Sequence, residues 1–585
     1  MQLHKVFIMI LACMPIGVYA AQEMAAEIGA LIQQLGDPQE STRVGAAIQL
    51  GKLQTAAGPA VSKLVENLES ADSKEERWAI VDTLRRIGSA SSPAVAALLR
   101  VYVEVPDPVL HKRVLDTIQS IGPAGVPSLI LGVQQHDVQI RRAAVTSLVR
   151  LGPEAEPAVS VLSRNLLDPD IGMASATALG KIGPRAAAAV SALINMSTAP
   201  DLEKQLAATR ALGKIGPAAR GAVPELAMAA GQGPERLRTA SIDALGRIGA
   251  GAPEVIPTLI GALRDGNDPV RESAVKAIQA IGPDAAPATP LLVGGLANIQ
   301  TQSLCIQALK SIGGSTVPTL IEGLDDTNRH IQRGCALAVE AIGPDAAIAV
   351  PTLIRMLNHD DRYLARDVAG ALAAMGDAGR PAVPNLVDAM SEEDEHIRKN
   401  FHRALSRIGP AGPESALALA DRLHRPHPLV RQFAAWSLGR MGPVATLART
   451  DLIDALNDEA PKVRVWAAWA IARVDRLDAD PGLAVLTDGL HSEDTNVRMA
   501  AAETLGRLGP EASAAVGPLI EVIRDANPQV RMWAAWSLGQ IGPDASFAIG
   551  PLTAALHDED GRVRHWAAKS LVRLRGSPDA GSTSR

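Results

Sequence analysis

Six of the seven tryptophans in this chain lie between residues 436 and 566, and their spacing is regular. Phe433-Ala-Ala-Trp436, Trp466-Ala-Ala-Trp469 and Trp533-Ala-Ala-Trp536 repeat one device, and Trp566 adds a further ring. Arginines recur beside them in steps of 33 or 34 residues, with one step skipped before the last: Arg407, Arg440, Arg473, Arg507 and Arg573. An indole offers a large apolar face with one donor, and a guanidinium offers five donors in a rigid fork that also stacks on rings. Together they are the chemistry of a contact surface, where buried aromatic and arginine anchors carry most of the binding energy. They are not the chemistry of bond making.

Groups suited to catalysis are missing from the sequence. It holds no Gly-x-Ser-x-Gly, no His-Glu-x-x-His, no Cys-x-x-Cys and no phosphate-binding glycine loop. His359, His491 and His557 recur beside acidic residues in separate units, whose spacing in a stack is too wide for them to share one metal, and are expected as exposed turn residues. Acidic clusters such as Asp325-Asp326, Asp360-Asp361, Glu392-Glu393-Asp394-Glu395, Asp458-Glu459 and Asp558-Glu559-Asp560 lack the Asp-x-Asp-x-Asp-Gly pattern of a calcium loop. They are expected to favour the positive ends of helices. The reading is therefore of a non-enzyme without cofactor or metal.

The elements that must carry the tryptophans follow from internal repetition. The phrase Leu-Gly-x-Ile-Gly-Pro recurs at 179–184, 212–217 and 538–543, and with leucine for isoleucine at 505–510. Its second glycine serves as a ruler, falling at Gly51, Gly88, Gly122, Gly152, Gly183, Gly216, Gly249, Gly282, Gly313, Gly343, Gly376, Gly409 and Gly442, then Asp475, Gly509, Gly542 and Arg575. The usual spacing is 33 residues, with a range of 30 to 37, giving about seventeen units. In one unit, Val516, Leu519, Ile520 and Ile523 form one helical stripe, and Val530, Ala534, Leu538 and Ile541 form another. Asp525-Ala526-Asn527-Pro528 is the turn between them, and Gly542-Pro543 is expected to stop the second helix through a left-handed glycine. Each unit thus reads as helix A, turn, helix B and stop, and its stripes can be buried only by stacking on neighbours. With 47% apolar but only 2% aromatic residues, the core must be built from Ala, Leu, Ile and Val.

On helix B the tryptophans take two places. Trp466, Trp533 and Trp566 stand nine residues before the ruler, at the border of the buried stripe. Trp436, Trp469 and Trp536 stand six before it, and a helical wheel points them away from the core, as it does the arginines two before it. Earlier units carry Thr146, Thr177, Arg210, Asp243 and Lys276 at the six-before place, so any such surface is local. Glycines three before the ruler (Gly180, Gly213, Gly246, Gly439, Gly506, Gly539) are expected where another backbone comes close.

The units resemble HEAT repeats, in the short form associated with phycobilin-lyase-like proteins. That pattern has a proline in helix A, an aspartate at the turn and an arginine early in helix B. Pro257, Asp265 and Arg271 match it, as do Pro518, Asp525 and Arg531, and Pro551, Asp558 and Arg564. Asp458 and Arg464 keep the step of six without the proline. The resemblance implies an all-α solenoid, a right-handed superhelix of about seventeen stacked helix pairs over residues 22–576. It also implies that the B helices line the concave face and that aspartate and arginine form a ladder between repeats. Gly172, Gln205, Gln302 and Gln332 replace the arginine in four units and put the ladder in doubt there. Relatives of this repeat type also include lyase-like and hydroxylase-like enzymes. The paired His-Glu ligands of the hydroxylases have no counterpart here.

Lys5, the apolar run over 6–18 and Val18-Tyr19-Ala20 read as a signal peptide over 1–20, implying export to a periplasmic or extracellular location. Anchoring through Cys13 after Ile10-Leu11-Ala12 is the less favoured variant. Residues 577–585 read as a disordered tail. No other uninterrupted apolar run approaches 18 residues, so no transmembrane segment is expected. Cys305 and Cys335 both stand eight residues before their ruler glycines, and equivalent places on stacked repeats are too far apart to bridge. Two buried free thiols are expected. A formal charge of −6 excludes a general nucleic-acid binder. The sequence therefore predicts a monomeric scaffold that binds a protein, with a glycan as the alternative ligand.

Overall fold

The computed structural model describes residues 16–249, 251–357, 360–474 and 480–575. Cys13, His359, Asp475 and the tail over 577–585 lie outside the described residues, as does most of the expected leader. A helix over Ile16–Gln34 runs without a break through the expected cleavage position at Ala20. Among the described residues all regular structure is α-helical or 3-10, and the chain is a stack of helix pairs. It forms two compact units, the first ending at Leu291 and the second beginning at Leu292.

Within the second unit, the repeat at Gly509 shows how the sequence builds a layer. A 3-10 helix over Gly509–Ala515 leads into helix A over Val516–Val522, and helix B spans Pro528–Ile541. The turn is held by side-chain caps: Asp525 accepts from the Asn527 amide at 2.8 Å, and Asn527 accepts from the Gln529 amide at 2.8 Å. Val516, Leu519, Ile523, Val530, Ala534, Leu538 and Ile541 are buried, and Ile520 is half-buried. The acidic turns act in the same way elsewhere, with Asp137, Asp201, Asp361, Asp394 and Asp494 each capping a B helix.

The Gly-Pro step differs from expectation. Gly542 has φ 82° and ψ −144°, which combines a positive φ with an extended ψ in a region essentially reserved for glycine. The chain therefore turns a corner, and Pro543 opens the 3-10 helix Gly542–Ala548 that feeds the next helix A. Proline suits that place because its fixed φ fits a first helical turn whose amide has no partner to lose. Two ruler glycines depart from the rule. Gly51 lies inside the helix Glu40–Lys52, and Gln54 takes the positive φ of 50°. Gly249 has φ −68°, and Gly251 makes the corner instead. The same corners interrupt two stretches apolar and long enough to cross a membrane, Pro108–Val133 at Gly122 and Arg329–Met356 at Gly343.

Successive B helices pack on one another through the glycines three before the ruler. A Cβ on Gly213 would stand 2.9 Å from the Ala244 Cα, and one on Gly246 would stand 2.7 Å from the Ala277 Cα. Glycine weakens a helix interior by up to about 1 kcal/mol, and the close approach of the neighbouring backbone offsets that loss.

An arginine–aspartate ladder joins the turns. Arg141 meets Asp168 at 2.6 Å and Arg238 meets Asp265 at 3.1 Å in the first unit. Arg431–Asp458, Arg498–Asp525 and Arg531–Asp558 close at 2.7, 2.8 and 2.8 Å in the second. The Arg531 guanidinium, with the Asp560 amide, holds the Asp558 carboxyl below the usual carboxylate range. At two of the three glutamines that replace the arginine, half of the device survives. Gln205 donates to the Ala199 carbonyl at 2.8 Å and Gln302 to the Leu296 carbonyl at 3.2 Å, six residues back, as Arg531 does to Asp525. The charged link to the next repeat is lost. At Gly172 a Cβ would stand 2.3 Å from the Leu166 carbonyl oxygen, so the backbone there excludes any side chain.

Cys305 and Cys335 are buried and unpaired. Burial pushes the thiols up to about 11 and about 12 respectively. At pH 8 both are expected to stay unreactive toward a thiol-directed disulfide reagent in the folded chain, and both to react within seconds in denaturant. A fast-reacting thiol in the native chain would contradict this placement.

Candidate functional site

Four successive B helices of the second unit, Glu395–Ile408, Pro428–Met441, Pro461–Val474 and Thr495–Leu508, share a cavity of about 380 Å³. Its walls are three indoles, Trp436, Trp466 and Trp469, and three guanidinium groups, Arg440, Arg473 and Arg507. Ser406 closes one side.

The rings are held by the helix stack. Trp469 is only 4% exposed. Its six-membered ring lies over Gly439 of the preceding B helix, where a Cβ would stand 2.3 Å from Cζ3. Gly506 seats Trp536 in the same way, at 2.4 Å from Cζ3. The glycine three before one ruler is thus the seat for the tryptophan six before the next. Trp436 finds Ser406 at that place instead and is half-buried. The expected outward direction of the six-before tryptophans is corrected for Trp469, because a wheel weighs one helix against its own core. It omits the neighbouring B helix that covers the flank. Trp466 meets Trp469 edge-on at 5.4 Å, and Trp436 lies 6.2 Å from Phe433 and 6.0 Å from His402.

Two of the arginines are fixed at both ends. The Arg440 Cζ lies 4.7 Å over the Trp436 ring, and its Nη1 donates to the Leu405 carbonyl. The Arg473 Cζ lies 5.5 Å over Trp469, and its Nε donates to the Gly439 carbonyl at 3.0 Å. Each guanidinium therefore serves the carbonyl-rich end of the preceding helix, where cations are favoured. Burial lowers Arg440 from the ordinary arginine value. Arg507 pairs with Glu503 at 2.7 Å on its own helix. The Trp469 indole nitrogen is buried with no hydrogen-bond partner. An unmade bond of this kind costs about 1–3 kcal/mol. Among the described residues no group of three His, Cys, Asp or Glu side chains could hold a metal ion.

A family model described as HEAT repeats matches residues 190–282, 227–298, 289–373, 350–439, 449–516 and 516–583, well over half of the chain. The chain belongs to the HEAT-repeat family. No curated protein matches it. Among solved structures it is similar to Kap95p, studied in nuclear import complex assembly, at 14% identity over 94% of this chain and 88% of that one, with a TM-score of 0.40. Importin beta matches at 12% identity over 93% and 89% of the two chains, with a TM-score of 0.39. UNC-45 from Drosophila melanogaster matches at 12% identity over 95% and 99%, with a TM-score of 0.30. The expectation of an exported protein in a periplasmic or extracellular location is withdrawn: the comparisons give it no support, and these likenesses show the fold alone.

The HEAT array brings together only part of the expected surface. Trp533, Trp536 and Trp566 form a second aromatic cluster further along, with ring separations of 5.2 Å and 6.4 Å. Lys569 lies 5.0 Å over Trp566. Arg407 lines a separate cavity of about 140 Å³ with Glu340 and Asp367. Neither His402 nor Trp78 belongs to a repeated pattern in the sequence. Trp78, in the first unit, has cations on its ring, Lys74 at 4.8 Å and Arg113 at 4.9 Å. Its isolation from the other tryptophans hid it, although Lys74 stands one helical turn before it.

Proposed function

We propose that this HEAT array is a non-catalytic scaffold that binds a protein partner through the Trp436–Trp466–Trp469 cavity of its second unit. The observation that carries this reading is the convergence of three indoles and three guanidinium groups from successive B helices on one cavity. Two of those guanidinium groups are already stacked and hydrogen-bonded, so little side-chain freedom remains to be lost on binding. The partner chemistry that suits it is an apolar side chain flanked by carboxylates, because Arg440 and Arg473 form no ion pair among the described residues.

The test uses the half-buried rings and leaves the buried Trp469 in place. A protein captured by the immobilised wild-type chain should lose at least tenfold in affinity for the Trp436→Ala/Trp466→Ala variant, with the circular-dichroism spectrum retained. Equal affinity of the two would remove the cavity as the contact site. Competition by a soluble oligosaccharide would assign it to a glycan instead.

A further inference from the structure

We propose a second, independent contact site, on the B helices of the first unit, where Arg210, Lys214 and Arg247, with Lys181 on the helix before them, form a basic groove that takes a carboxylate-rich peptide segment. The groove is a cavity of about 490 Å³ walled by the helices Leu202–Ile215 and Glu235–Ile248, with Arg210, Lys214 and Arg247 among its lining groups. Lys181 stands on the preceding B helix, Gly172–Ile182, at the place equivalent to Lys214 and Arg247, two before the ruler.

What sets this groove apart is the removal of its counter-charges. Upstream, the six-before aspartates serve the next repeat: Asp82 pairs with Arg113 and Asp116 with Arg150. The corresponding partners become Thr146 before Lys181, Thr177 before Lys214 and Arg210 before Arg247. A carboxylate is thus replaced first by a neutral group and then by a like charge. None of the four cations forms an ion pair among the described residues. Burial, and then the charges of Lys181, Arg247 and Arg210, push the Lys214 ammonium below the ordinary lysine range. The aliphatic stem of Lys214 is steered into this crowd by Gly180, where a Cβ would stand 3.2 Å from its Cδ. Like charges held together with no carboxylate in ion-pair contact destabilise the free chain and are relieved by an anionic ligand.

Spacing favours a peptide. Stacked helices lie about 8–10 Å apart. Carboxylates three residues apart on a polyproline-II chain lie on one face and recur about every 9 Å. Glu235 and Asp243 on the same walls interrupt the positive surface that a phosphate backbone, charged at every unit, would need, whereas a peptide can space its carboxylates between them.

The experiment titrates the full chain with a fluorescein-labelled peptide bearing glutamate at every third position, followed by anisotropy at two salt concentrations. Saturable binding is expected, weakened at least tenfold by Lys214→Gln/Arg247→Gln and weakened by added salt. The Trp436→Ala/Trp466→Ala variant, which tests the other site, should bind this peptide as the wild type does. The glutamine variant relieves repulsion, so its melting temperature should equal or exceed that of the wild type. Absence of saturable binding, or binding unchanged in the glutamine variant, would overturn the proposal. So would displacement of the peptide by equimolar inorganic phosphate or by a single-stranded oligonucleotide.

Discussion

Replacing Trp469 with alanine is expected to destabilise the second unit by about 3–5 kcal/mol, the range found when a buried aromatic side chain is cut back to a methyl. The ring is 4% exposed and fills the space over Gly439 against an edge-on Trp466. It also carries the Arg473 guanidinium on its face. The partner substitution Gly439→Ala should be costly too, because the new Cβ would fall 2.3 Å from the ring and 3.0 Å from the Ala470 Cα. Overpacking of this kind costs about 1–3 kcal/mol. Once the ring is gone, the same Cβ enters vacated space and its nearest remaining contact is the Ala470 Cα at 3.0 Å. The double variant should therefore be more stable than the sum of the singles predicts, by about 0.5–3 kcal/mol. Urea unfolding of the four chains measures this, read on the transition of the second unit because repeat arrays sum local stabilities. Strict additivity would mean that ring and glycine do not meet.

Removing Arg531 is the second large effect. It is 8% exposed and makes bonds to Asp558, to Glu559 and to the carbonyls of Asp525 and Ala526. Arg531→Ala strands the Asp558 carboxylate, whose side chain is 12% exposed, and frees two turn carbonyls. Breaking a buried pair from one side costs about 3–5 kcal/mol. Arg531→Gln should cost clearly less, since Gln205 and Gln302 show that a glutamine here still reaches the carbonyl six residues back. Urea unfolding in which both variants lose equal stability would show that the inter-repeat charge, and not the turn bond, carries the whole effect.

The helix pairs were legible because burial on a repeat is set by local periodicity. The stripe Val530, Ala534, Leu538 and Ile541 is buried as its spacing requires, and Asp525 and Asn527 cap the turn that their types suggest. The glycines three before the ruler were legible for the same reason, as a close approach that each repeat makes with the next. The corner at Gly542 was read in part. A glycine followed by proline announces a break, but whether ψ falls in the left-handed or the extended range depends on the 3-10 helix that receives the chain.

Composition and order along the chain thus determined the repeat, its two helices, its caps and which residues occupy equivalent places. They did not determine what each outward flank meets. Trp469 and Trp436 occupy the same place in their repeats, yet one is buried on a glycine and the other is half-buried beside Ser406. Thr177 and Asp116 are likewise equivalent, yet only the aspartate neutralises the cation of the following repeat. A side chain between stacked helices is governed by a residue some thirty positions away, and only the packing of one layer on the next brings the two together.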